Sequence, residues 1–132
     1  IVARYDSQIK VYMTLHSFGD LIVFPWSVTN PPFPLHNTPH HLYTGEIFRQ
    51  AILQATGKNY TVINTVDHFG NVHGVSHDHA LIANNVGVAH TLELTTGFNF
   101  IYPEARILAL CEETFVGFRA LGLYVANEHR RK

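Results

Sequence analysis

Short apolar runs separated by polar, proline-rich or glycine-marked breaks set the outline of this chain. Ile9-Lys10-Val11-Tyr12-Met13-Thr14-Leu15 is rich in β-branched, aromatic and long apolar residues and is too short for a helix. It predicts a strand that ends at His16-Ser17-Phe18-Gly19-Asp20. Leu21 to Trp26 is a second apolar run, cut by Pro25. Between Thr29 and Pro39, four prolines remove backbone donors and predict a loop. Thr44 is placed as the cap of a helix with the apolar face Ile47, Phe48, Ala51, Ile52 and Ala55, and Gly57 marks its end.

Tyr60 to Val66 predicts another strand, and Asp67 to His79 a loop that carries His68, His73, His77 and His79. Ala80 to Asn84 has room for a helical turn. Val86 to Leu94 is apolar on both faces, the pattern of a central strand, and Thr95-Thr96-Gly97 is a turn. Pro103 opens a long helix to about Ala126, with Glu104 favourable to its dipole. Its expected buried side is Ile107, Leu108, Cys111, Phe115, Phe118, Leu121, Leu123 and Val125. Strands alternating with helices predict α/β layering around a largely parallel sheet.

Composition narrows the function classes. The 132 residues suit one domain with one core, and 46% hydrophobic residues exclude a disordered chain. Charged residues make up 14%, against roughly 25% in ordinary domains, so much of the surface should be covered. Nine Lys and Arg balance ten Asp and Glu, and the basic cluster Arg130-Arg131-Lys132 is short, which argues against a nucleic-acid partner. No apolar stretch approaches the ~20 residues of a membrane span. Arg4, Asp6 and Lys10 interrupt any signal-peptide pattern. Cys111, the single cysteine, is expected to be a buried small hydrophobe. Asn59-Tyr60-Thr61 is an N-glycosylation sequon just after Gly57, which points to a secreted protein.

In open α/β sheets, ligands sit beyond the carboxyl ends of strands, where His16 and Glu93 fall. A glutamate inside an otherwise apolar strand needs a partner or a purpose, because burying an unpaired carboxylate is costly. Glu93 is therefore the sharpest candidate. The clusters His73-x-x-x-His77-x-His79 and His36-x-x-x-His40-His41 have metal-like spacing, but spacing in a loop fixes no geometry, and solvated loop histidines are the simpler expectation. His90-Thr91-Leu92-Glu93 spells H-x-x-E, yet residues three apart on a strand point to opposite faces.

Ile9 to Phe18, then Leu21-Ile22-Val23-Phe24-Pro25-Trp26, resembles the strand, His-Ser-aromatic and aliphatic-aromatic-Pro-aromatic sequence of zinc metallocarboxypeptidases of the pancreatic A/B type. The likeness continues through Tyr60, Gly74 to Asp78, Thr91-Leu92-Glu93-Leu94 and Glu113-Thr114-Phe115-Val116-Gly117, in the family's order. The resemblance implies an α/β fold: the C-terminal half of a three-layer α/β/α carboxypeptidase-like domain with a mixed, largely parallel sheet. Residues 1–132 would be a partial catalytic domain, without the N-terminal half that carries H-x-x-E. It implies Zn2+ with His16 as one ligand, Glu93 as general base, and Ser17, Phe18, His77 and Phe100 in substrate binding. Peptide C-termini would be the substrate, the missing half of the domain a partner, and the location extracellular.

There are departures from the family pattern. The substrate-capping tyrosine position holds Gly70, the residue after Ser76 is His77, neither apolar nor acidic, and an Arg-Asp pair is replaced by Thr95-Thr96. The implied activity is release of the C-terminal residue, with the isolated chain inactive for want of zinc ligands. The alternative is a non-catalytic relative that binds peptides or a protein partner.

Overall fold

A computed structural model describes residues 4–5, 8–31, 38–95, 97 and 100–130. Strands β1 (Val11–Ser17) and β2 (Leu21–Phe24) are followed by helix α1 (Thr38–Thr56), strand β3 (Thr61–Asn64) and the short helices α2 (Thr65–Phe69) and α3 (Ser76–Asn84). Strand β4 (Val88–Leu94), a 3-10 turn at Glu104–Arg106 and helix α4 (Ile107–Arg130) complete the order. The four strands form one mixed sheet in the order β1-β4-β2-β3. β1 runs parallel to β4 and β2 parallel to β3, while β2 and β4 are antiparallel.

Side-chain alternation on β4 builds the layers. Val88 and Leu92 pack with Ile22, Phe48, Ile52, Tyr60 and Leu121 in the core that α1 and α4 cover. Ala89 packs instead with Ala80 and Val86, beside Tyr12 and Leu81, under α3. Helices on both faces of the sheet give the three-layer α/β/α arrangement. Among the described residues, no helix is long and apolar enough to cross a membrane.

Several elements differ from the expectation. β1 extends through His16 and Ser17, so His16 lies within the strand. Helix α1 begins at Thr38, six residues before Thr44, with Pro39 in its first turn, where a missing N–H costs nothing. Thr44 is buried mid-helix, its hydroxyl donating back to the carbonyls of His40 and His41 at 2.9 and 3.1 Å. The strand expected to Val66 stops at Asn64, whose Oδ1 accepts from Val66 N at 3.0 Å and starts α2. Much of the expected Asp67–His79 loop is thus helical, in α2 and the first turn of α3. The turn expected at Ala80–Asn84 is the second half of α3, closed by Asn85 in the left-handed region at φ 49°.

Helix α4 buries a different face from the expected one. Its contact with α1 runs through Thr114, Gly117 and Leu121, with Phe118 and Val125 partly buried. Ile107, Leu108, Phe115 and Leu123 are exposed, and so is Cys111. The reason is close approach: a Cβ on Gly117 would lie 2.5 Å from Phe48 Cε1. Close packing at Gly117, rather than the largest side chains, marks the packed face. Tyr60 Oη donates to Glu113 Oε1 at 2.7 Å and fixes the rotation.

Candidate functional site

The parallel register pairs His16 with Glu93 across the carboxyl ends of β1 and β4. His16 Nδ1 lies 3.8 Å from Glu93 Oε1, with the imidazole 54% exposed and the carboxylate 13%. Burial raises the Glu93 carboxyl above the usual carboxylate range, against the pull of His16 and His68. A mostly buried carboxyl beside an open imidazole is the arrangement of a group able to exchange protons with a bound molecule. Gly19 N donates to Thr95 O at 3.0 Å, which holds the β1–β2 turn over the end of β4.

The aromatic candidates meet here as well. Phe18 and Phe100 pack edge to face with ring centres 4.9 Å apart, although Phe100 itself is 77% exposed. Ser17 is the last residue of β1, next to His16.

His77 has a different place. It sits in the first turn of α3 with 1% exposure. Its Nε2 is 3.1 Å from both Ser27 Oγ and Thr65 Oγ1, and its Nδ1 is 2.7 Å from Thr91 Oγ1. Burial, helped by His41 and His16, pushes the imidazole down to about 4, so it is neutral near pH 7 and its 3.4 Å approach to Asp78 Oδ1 is not an ion pair. Thr91 lies two residues before Glu93 and therefore on the same face of β4. His77 thus braces the strand that presents Glu93.

A second buried histidine lies on the opposite face. His90 has Nε2 2.9 Å from Thr44 Oγ1, and its ring packs near His41 and Phe24. Burial pushes it down to about 3. His90 facing α1, while Glu93 faces its sheet neighbour His16, agrees with the strand argument against a shared H-x-x-E ion site. The hydroxyls that bond to these two rings are the residues the sequence pattern missed. No periodicity marks a threonine as a partner of a histidine 46 residues away.

The donor set settles what a metal would find. His73 and His79 are exposed while His77 is buried, so that trio does not converge. His36 of the other trio lies outside the described residues. Among the described residues no group of three or more His, Cys, Asp and Glu is placed to hold a metal ion. His16 brings one imidazole to the site, where a catalytic zinc needs three protein donors. On its own this donor set does not fit a zinc centre.

Comparison with known proteins adds the family. The zinc carboxypeptidase family profile matches residues 1–117. The chain is 28% identical over 130 residues to carboxypeptidase B of Astacus astacus, covering 97% of this chain and 42% of that protein. It is 32% identical over 111 residues to human carboxypeptidase O, covering 81% of this chain and 28% of that one. Among solved structures, bovine thrombin-activatable fibrinolysis inhibitor in complex with tick carboxypeptidase inhibitor superposes with a TM-score of 0.85 at 22% identity, over 95% of this chain and 42% of that one. Carboxypeptidase A from Helicoverpa armigera superposes with a TM-score of 0.79 at 20% identity, over 96% of this chain and 32% of that one. The chain thus spans well under half the length of these relatives.

Proposed function

Because this chain belongs to the zinc carboxypeptidase family, we infer that it carries the general-base half of a carboxypeptidase centre, acting on peptide C-termini in a secreted protein. The observation that supports this most directly is the side-by-side placement of His16 and Glu93, 3.8 Å apart at the carboxyl ends of two parallel strands. In this reading Glu93 accepts a proton from the water that attacks the terminal peptide carbonyl and passes it to the departing amine. His16 supplies one neutral imidazole to a zinc site completed by residues outside these 132, where the metal would sharpen the acidity of a bound water. Ser17, Phe18 and Phe100 line the approach. His77 acts from below, through Thr91.

The rest of the domain would join at β1. Among the described residues β1 pairs only with β4, leaving its other edge open, and Leu15 beside His16 is 55% exposed.

The test uses a longer chain in which this segment is joined to the remainder of its domain. Glu93→Gln is expected to lower release of C-terminal residues by at least about 10²-fold while zinc content stays unchanged. His16→Ala is expected to lower the zinc content itself. The isolated 132-residue chain should release nothing. Zinc-dependent release by that chain alone, or normal turnover by the Gln variant, would refute the assignment.

One observation favours a second reading, peptide binding without hydrolysis. Gly70, at the position aligned with the family's substrate-capping tyrosine, has φ +72° and no side chain, and nothing stands within 4 Å of where its Cβ would be. Peptide binding by the longer chain with no hydrolysis at intact zinc occupancy would select that reading.

A further inference from the structure

The sequon Asn59-Tyr60-Thr61 is not used by the chemistry at β1 and β4, and its geometry is specific. It occupies the connection between α1, which ends where Gly57 takes φ +77°, and the first residue of β3. Tyr60 is turned inward, 1% exposed and hydrogen-bonded to Glu113. In extended backbone, alternate side chains leave on opposite sides, so Asn59 and Thr61 both face outward, and both are exposed. Arg49 Nη1 donates to Asn59 Oδ1 at 2.7 Å. That contact uses the carbonyl oxygen of the carboxamide and leaves Nδ2 clear among the described residues. It is the only Asn-x-Ser/Thr triplet in the chain.

We propose that Asn59 carries an N-linked oligosaccharide. In the transfer, Asn59 Nδ2 bonds to the anomeric carbon of an oligosaccharide held on a polyprenyl diphosphate. The carbon–oxygen bond to the diphosphate breaks and its electron pair leaves with the lipid diphosphate. One of the two amide protons passes to a basic group of the transferase and on to water, and Nδ2 keeps the other. The folded chain accommodates the product, because the glycan leaves from a surface turn and displaces no core contact. Its position also gives it a consequence: it stands at the start of β3, an outer strand of the sheet whose far edge has no partner among the described residues. A bulky hydrated group there blocks edge-to-edge pairing with another chain.

The inference rests on the reading that the chain is exported, so the experiment supplies export and reads modification apart from activity. The chain is expressed behind a secretory leader in eukaryotic cells, and total cell protein is analysed before and after peptide-N-glycosidase F. Treatment is expected to remove one oligosaccharide and leave aspartate at position 59 in the peptide map. Asn59→Gln and Thr61→Ala should run without the shift, and Thr61→Ser should keep it. His129→Thr, which makes a second sequon at Asn127 on the exposed end of α4, controls for delivery to the transferase. Glycan at Asn127 with Asn59 bare would overturn the proposal. Failure of the longer chain to hydrolyse peptides would refute the catalytic reading and leave this readout unmoved.

Discussion

His77 and His90 are two imidazoles held neutral inside the sheet's two helix layers, each in contact with threonine hydroxyls rather than paired with a carboxylate. Burial pushes them down to about 4 and about 3. In the unfolded chain a histidine titrates near pH 6.5. Below that pH the unfolded state takes up protons that the folded state refuses, so stability is intact above about pH 6.5 and falls as the medium is acidified towards the folded values. Each pH unit in that window removes up to about 1.4 kcal/mol per histidine. Asp78 and Glu93, raised by burial, act in the opposite sense as pH drops through the carboxylate range. Urea midpoints measured between pH 7.5 and about 5 should therefore decline steeply. His77→Gln should flatten that decline; an unchanged slope in the variant would show that His77 is not the titrating group.

Helix α4 illustrates how packing is decided by contacts that a hydrophobic pattern does not contain. Gly117 touches Phe48 so closely that one added methyl collides at 2.5 to 2.7 Å with three ring carbons. Gly117→Ala is expected to destabilise by roughly 1–3 kcal/mol despite alanine's better helix propensity. Gly122→Ala, on the same helix with nothing within 4 Å of its Cβ position, should be neutral or slightly stabilising. Thermal or chemical unfolding of the two variants side by side checks the contrast. The same helix shows what was legible. Its existence, its start near Pro103 and its partners Phe118 and Leu121 followed from periodicity. Its rotation did not, because Ile107, Leu108, Phe115 and Leu123 outweigh Thr114 and Gly117 in any apolar count. The strands and the central place of β4 followed from apolar runs, as did the position of His16 and Glu93 near the carboxyl ends of theirs; that the two stand side by side depends on the parallel register of β1 and β4. The sequence could not show that His77, one of several polar loop histidines by pattern, is enclosed by Ser27, Thr65 and Thr91. That enclosure depends on residues brought together from four separate segments.

At the scale of the whole chain, the low charge content reappears as apolar surface. Leu108 is 70% exposed and Phe115 64%, about two turns apart on the face of α4 turned away from α1, and Ile107 at the helix start is 48% exposed. Such patches bind apolar dyes and promote association. Leu108→Lys combined with Phe115→Glu is expected to lower dye fluorescence and sedimentation-detected self-association. Intrinsic stability should move by no more than about 0.5 kcal/mol per substitution. A large loss of stability would mean that the stripe packs against something within the chain.

The strand order carries a consequence for the history of the chain as well as for its final form. β1 and β2 are separated by a tight turn, yet they never pair; β4, whose residues arrive more than sixty positions later, lies between them. Until it arrives, the first two strands offer each other a local pairing that the finished sheet forbids. Insertion of β4 between them is therefore a long-range step, and it is the same step that brings Glu93 beside His16.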